Sequence, residues 1–394
     1  MTTARASYIP GLDGVRGLAI VAVIIAHVFE RVPPGQGADT VVYRLGNTGW
    51  IGVDLFFVLS GFLITGILID ERGRERYFRT FYARRVLRIV PVYVVFLLFS
   101  MWIAPLVGVT TPAVAQELRA TQGWYWAYLS NVYDSMHPFP AEGIPSHLWS
   151  LAVEEQFYLL WPLTVAFASP RKLPRVAIGC VVAAELFRIA AMLAGAQEQA
   201  IYHLLPTRMD TLAVGAFLAC AIRDPDFARN AARWRAMALG GAILLLGVPL
   251  LLHRTAGSLL PVTQLFGLPA IAIVSGLLVL LVVQSRTLLT NRPLRFLGRY
   301  SYGMYIWHFL VLHVILERTS VFVPWRVGGS YFLYYAEAVA AVLAATILVA
   351  LVSWIAIERP FLLLKRFVPY ASPNHPAQLG TARSSTAPSA STRT

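Results

Sequence analysis

Residues 50–69 read WIGVDLFFVLSGFLITGILI, residues 70–88 DERGRERYFRTFYARRVLR, and residues 89–105 IVPVYVVFLLFSMWIAP. An apolar run, a loop dense in arginine and a second apolar run have one common physical reading. About 20 apolar residues in a helix cross a hydrocarbon core, and arginine-rich loops stay on the cytoplasmic side. The stretch therefore reads as two membrane helices joined by a cytoplasmic loop. The rest of the chain repeats the pattern.

Candidate spans run over 15–32, 50–69, 86–105, 151–168, 175–194, 208–222, 236–253, 264–283, 302–316 and 331–356. The loops after the fourth, sixth and eighth are again basic: SPRKLPR, RDPDFARNAARWR and SRTLLTNRPLRFLGR. Every second loop is basic and those between are not. The expectation is an all-α integral membrane protein with about ten transmembrane helices and both termini cytoplasmic, at the cell membrane. The same parity settles GWYWAYLSNVY (Gly123 to Tyr133). It must cross zero or two times, and it is too short for two, so it reads as an interfacial or re-entrant piece with its aromatics at headgroup depth.

Composition agrees. Of 394 residues, 57% are hydrophobic and 13% charged, against about 25% charged in soluble domains. The net charge of +13 belongs to loops facing lipid headgroups rather than to nucleic acid. Cys180 and Cys220 fall inside spans, so neither a disulfide framework nor a metal site is expected. The N-terminus lacks the apolar core of a cleavable signal. Residues 1–14 read as a cytoplasmic segment. Residues 367–394, rich in Ser, Thr, Ala and Pro, read as a disordered cytoplasmic tail.

Ionisable residues within spans cost about 2.5–3.5 kcal/mol each on insertion scales, which makes them candidates for function. Arg16 and His27 are eleven residues apart, nearly on one helix face and ~16 Å apart along the axis. The pair is either two ends of one cavity wall, or a snorkelling arginine and a satisfied histidine. Asp54 falls in the outer half of the second span, as a site residue or a helix cap. Arg85 and Arg88 stand one turn apart, as a phosphate site or as ordinary positive-inside charge. Glu154 and Glu155 interrupt HLWSLAVEEQFYLLWPL (147–163). His147, Leu151, Glu154 and Tyr158 share one stripe, with Glu155 about 100° round. One carboxylate then lines a cavity while the other pairs with an arginine of a neighbouring helix; Arg208 and Asp210, at the outer start of the sixth span, offer such partners. In the ninth span, Tyr302 sits near the inner end and His308 towards mid-membrane. Glu358 and Arg359 read as a local ion pair.

Six motifs in order, LDGVRGLAIVAVIIAH, GVDLFFVLSGFLIT, ARRVLRI, SHLWSLAVEEQFYLLWP, RMDTLAVG and SYGMYIWH, resemble the membrane acyltransferase-3 family over about residues 8–366. The resemblance implies a ten-helix transmembrane domain over residues 15–366. It also implies transfer of an acetyl or other short acyl group from acyl-CoA, acetyl-CoA foremost, to a hydroxyl of a sugar, cell-envelope glycan or macrolide-type antibiotic. No metal is implied. Some members carry an added extracytoplasmic domain; this chain is expected to resemble the standalone branch. Carried over, Arg16 and His27 are the family's essential pair, Arg85 and Arg88 its paired arginines near the coenzyme, and Glu154 and Glu155 its carboxylates. The expected mechanism puts donor phosphates near Arg85, Arg88 and Arg16, with Tyr302 beside them. His27 acts as base, oriented by Glu154 or Asp54, or carries the acyl group as a transient acyl-histidine; Glu155, Tyr158, His147, Arg208, Asp210 and His308 form a substrate or structural network. The rival class is a polytopic transporter with an intramembrane proton relay.

Overall fold

The computed structural model describes residues 9–137, 145–253, 259–284, 289–318 and 322–370. Among these, helices of 17 residues or more are α1 (Pro10–Phe29), α2 (Ile51–Glu71), α3 (Tyr77–Leu98), α4 (Leu148–Phe167), α5 (Leu173–Leu193), α6 (Leu205–Ala221), α7 (Ala231–His253), α8 (Leu268–Gln284), α9 (Arg292–Leu312) and α10 (Phe332–Ser353). No strand occurs among the described residues. Seven helical stretches, containing α1, α2, α3, α5, α6, α8 and α10, are long and apolar enough to cross a membrane. The protein is a multi-pass, all-helical membrane protein. The expected crossings at α4, α7 and α9 are helices too, but outside that set; in α4 and α9 the polar side chains that make them interesting also lower their hydropathy. Residues 1–8 and 371–394, the outer parts of the expected terminal segments, lie outside the described residues.

Local chemistry starts and joins these helices. Proline, whose missing N–H costs nothing in a first turn, opens α1, α5, α6 and α9, and the Asn291 side chain caps α9 by accepting from Leu294 N at 2.9 Å. Pro162 inside α4 interrupts that helix's own bonding. There α3 is pinned to α4: the Tyr77 hydroxyl donates to the Pro162 carbonyl (3.1 Å) and that of Tyr82 to Leu159 (2.8 Å).

The principal packings are α1 on α9, α2 on α6, α5 on α6 and α9 on α10. Lipid supplies no hydrophobic drive between helices, so small residues that let backbones approach carry much of the association. Gly61 of α2 lies against the Leu212 backbone of α6, and Gly215 of α6 against Val58 of α2; a Cβ at either would overlap a carbonyl. Gly61→Val should therefore push α2 and α6 apart, costing about 1–3 kcal/mol and lowering the thermal midpoint of detergent-purified protein. An unchanged midpoint would show that this contact does not hold the bundle.

The basic loops meet at one end. Arg72, after α2, donates to Ala166 at the end of α4 (3.2 Å). Arg223, after α6, bonds Gly66 (3.3 Å) and Asp70 (2.9 Å) of α2. Arg84 reaches the carbonyls of Lys365 and Val368 beyond α10 (3.2 and 2.8 Å). The opposite end is tied by Asp39, which accepts from Ser330 Oγ and Tyr331 N (both 2.7 Å), and by Arg31 with Glu317 (2.6 Å).

The aromatic stretch at 123–133 is not a long helix. It folds as two short ones, Gln122–Trp126 and Ser130–Met136, around Tyr128 at φ 54°. Its tyrosines pack into the protein: Tyr125 is buried, and Tyr128 stacks on Tyr93 of α3 (centroids 4.5 Å apart). Asp134 is also buried, and burial pushes its carboxyl up to about 8.

Candidate active site

One cavity, open at its mouth and about 100 Å³ in volume, lies among α1, α2, α3, α4 and α9. Its charged lining is Arg16 from α1, Arg85 and Arg88 from α3 and Glu154 from α4; its hydroxyls include those of Ser60, Tyr158 and Tyr302. Helical spacing explains the set. Ser150, Leu151, Glu154 and Tyr158 share the α4 face turned to the cavity, whereas Glu155 points elsewhere.

The cavity is unevenly charged. Arg16 is held by Asp13 at 2.9 Å, one turn away. Arg85 lies over the rings of Tyr158 and Phe81, at 5.3 and 5.7 Å. Neither Arg85 nor Arg88 has a carboxylate within 4 Å among the described residues. Glu154 accepts from Ser60 Oγ at 2.6 Å, with the Tyr158 hydroxyl alongside. Tyr302 donates to the Ile89 carbonyl at 2.7 Å, which aligns α9 with α3.

Several expected partnerships are replaced. Glu155 does not pair with Arg208: it has no ion pair among the described residues, and its Oε1 is buried without a hydrogen bond. Its surroundings are the hydroxyls of Tyr93, Tyr128 and Tyr302. Arg208 pairs instead with Asp54 at 2.6 Å, both fully buried, under the ring of Tyr202 at 4.6 Å. Asp210 lies 2.9 Å from Arg188. Asp54, Arg208 and Asp210 thus form a network between α2, α5 and α6, outside the cavity. Asp54 is no partner for His27; its charge is spent on Arg208. Glu358 is not paired with Arg359 either. It is buried, and the charge it faces is that of Arg88.

His27 does not line the cavity with Arg16 as expected. It belongs to a cluster of imidazoles behind the cavity wall. Its ring centroid is 5.0 Å from that of His308, which is 5.0 Å from that of His147. Tyr305 joins cluster and cavity: it lines the cavity, hydrogen-bonds Ser150, donates to the His147 carbonyl at 2.7 Å and lies 5.5 Å, ring to ring, from His308. Among the described residues, no carboxylate orients His27. Its Nδ1 sits 3.0 Å from the Val23 carbonyl and 3.3 Å from His308 Nε2, and Glu154 is engaged with Ser60 instead. Sequence reasoning missed Arg31, which donates to the His27 carbonyl (3.0 Å) and covers the Phe309 ring at 4.7 Å. Its spacing of one turn beyond His27 was the available signal. Among the described residues, no group of three or more His, Cys, Asp or Glu is arranged to hold a metal ion.

Comparison with known proteins gives this geometry a context. The chain is 29% identical over 325 residues to the putative peptidoglycan O-acetyltransferase YrhL of Bacillus subtilis, covering 77% of this chain and 49% of that protein. It is 29% identical over 345 residues to the peptidoglycan O-acetyltransferase OatA of Listeria monocytogenes, covering 81% and 52%. It is 30% identical over 329 residues to the O-acetyltransferase OatA of Staphylococcus aureus, covering 77% and 51%. The chain spans about half the length of these curated relatives. No solved structure matches it. Residues 9–358 match the family Acyl_transf_3, an acyltransferase domain, and those residues contain both the cavity and the imidazole cluster. This chain therefore belongs to the membrane acyltransferase-3 family.

Proposed function

We propose that this protein is a membrane O-acyltransferase that moves an acetyl or other short acyl group from acyl-CoA, taken from the cytoplasm, to a hydroxyl of a cell-envelope glycan. One observation carries the reading: Arg85 and Arg88 line the cavity one helical turn apart, with no carboxylate within 4 Å of either among the described residues. Two guanidiniums that no carboxylate neutralises at ion-pair distance favour an added anion, and the guanidinium fork suits phosphate. The names of the relatives, O-acetyltransferases of peptidoglycan, favour a glycan acceptor.

The same reading takes the bundle as ten crossings, with the basic end and both termini in the cytoplasm. Its support is that the basic loops gather at one end, while His27 lies ~16 Å further along α1 than Arg16. The donor phosphates rest on Arg85, Arg88 and Arg16, and the thioester reaches the Ser150–Tyr305 wall. The acceptor comes from the far end, beside His27. With the Tyr305 side chain moved aside to join the cavity to the imidazole cluster, His27 takes the hydroxyl proton as the oxygen attacks the thioester carbonyl. The C–S bond breaks, an ester C–O bond forms, and the proton passes to the departing thiolate, giving free CoA.

The test is purified protein in nanodiscs with acetyl-CoA and a GlcNAc–MurNAc disaccharide, counting free thiol against O-acetylated sugar. One thiol per ester is expected. Arg85→Ala and Arg88→Ala should each raise the KM for acetyl-CoA by about ten- to a hundredfold, the worth of a charged hydrogen bond. An unchanged KM would remove them from the donor site. Movement of the sugar across vesicles without acetyl-CoA consumption would favour the transporter.

A further inference from the structure

We infer that His308 is the positioning residue for His27, an imidazole in the place where acid–base sites commonly put a carboxylate. The inference rests on His27 acting as the base. It starts from which atoms can donate.

A carbonyl oxygen only accepts. His308 Nδ1 lies 2.6 Å from the carbonyl of Tyr305, so Nδ1 carries the hydrogen. A neutral imidazole has a single N–H, which leaves His308 Nε2 as an acceptor. That acceptor faces His27 Nδ1 at 3.3 Å, and the Val23 carbonyl faces the same nitrogen at 3.0 Å. With acceptors on both sides, His27 Nδ1 must carry its hydrogen. The lone pair of His27 is then on Nε2, the nitrogen free to take a proton from an acceptor hydroxyl. This is the less favoured tautomer of a free histidine side chain, so the surroundings have to impose it.

The Val23 carbonyl alone, one turn back on the same helix, fixes the hydrogen but not the plane of the ring. His308 supplies the second point from a different helix. It is fully buried and held in turn by the ring of His147, whose own Nε2 donates to the Ile306 carbonyl at 3.2 Å. Phe309 closes the arrangement, stacked on His147 at 5.0 Å and edge-on to His27 at 6.0 Å. When His27 takes the proton, its Nδ1–H bond to His308 becomes charge-assisted and strengthens. His308 itself neither gains nor loses a proton.

The test has two arms on the full-length protein. In the first, 15N-histidine-labelled protein in nanodiscs is examined by NMR, with the His27 signals assigned by their loss in His27→Gln. Wild type should show His27 protonated at Nδ1 and unprotonated at Nε2; the opposite tautomer would overturn the inference. This arm needs no acceptor. In the second, His308→Phe should lower kcat about 100-fold, with the KM for acetyl-CoA within twofold. His308→Gln, whose amide oxygen can take the place of Nε2, should recover most of that loss. Wild-type kcat in His308→Phe, or no difference between the two variants, would overturn it. If His27→Ala itself turns over normally, the proposed function fails instead, and the tautomer seen by NMR stands on its own.

Discussion

His27→Ala should reduce acyl transfer by a factor of about 10²–10⁴, the contribution of a positioned general base, and should leave the protein folded in the membrane. An alcohol is a weak nucleophile at neutral pH, and the imidazole is the side chain suited to taking its proton there. Among the described residues, the other imidazoles of the cluster are engaged: His308 Nδ1 and His147 Nε2 both serve backbone carbonyls. His27 alone of the three is only half-buried, and its one inter-helix hydrogen bond is to His308. Truncation therefore takes away little packing. The measurement is thiol release and ester formation by purified protein, alongside its elution as a single species in detergent. Turnover within threefold of wild type by a well-folded His27→Ala protein would sink the assignment and the route built on it.

How much of this was legible beforehand depends on the range of the interaction. The helical period places Glu154 and Tyr158 on one face and Glu155 on another, and the cavity takes up that division. The same period puts Arg85 and Arg88 side by side. Loop charge marked the ends of helices that the structure gathers at one end of the bundle. Partner choice across helices was not legible. Arg208 was open to Glu155 or to any other buried carboxylate, and its actual partner, Asp54, lies 154 residues earlier in the chain. His27 was expected to need a carboxylate because such sites usually have one; the imidazole facing it comes from α9. Arg16 and His27 do share a face of α1, but Tyr305 and His308 of α9 stand between His27 and the cavity. A single-helix argument cannot see side chains from a second helix.

The Asp54–Arg208 pair should show the largest effect on stability. Both side chains are fully buried, 2.6 Å apart, with Arg208 Nε and Nη1 and Asp54 Oδ2 left without hydrogen bonds. Removing one member strands the other as a buried charge, which typically costs 3–5 kcal/mol, about as much as a whole domain can spare. Arg208→Met should therefore leave little folded protein on purification, with Asp54→Leu close behind. The ring of Tyr202 over the guanidinium offers the stranded arginine partial relief, so Asp54→Leu is the milder of the two. Combining them removes both charges and fills the space with apolar atoms. In comparable buried pairs that change is neutral or stabilising, so the double variant should recover most of the thermal midpoint in detergent. It also separates two roles for Asp54. If the pair only fastens α2 to α6, the double variant folds and still transfers acyl groups at a rate near wild type. A well-folded double variant without activity would return Asp54 or Arg208 to the chemistry. Single variants as stable as wild type would mean that the two charges are not the clamp their burial implies.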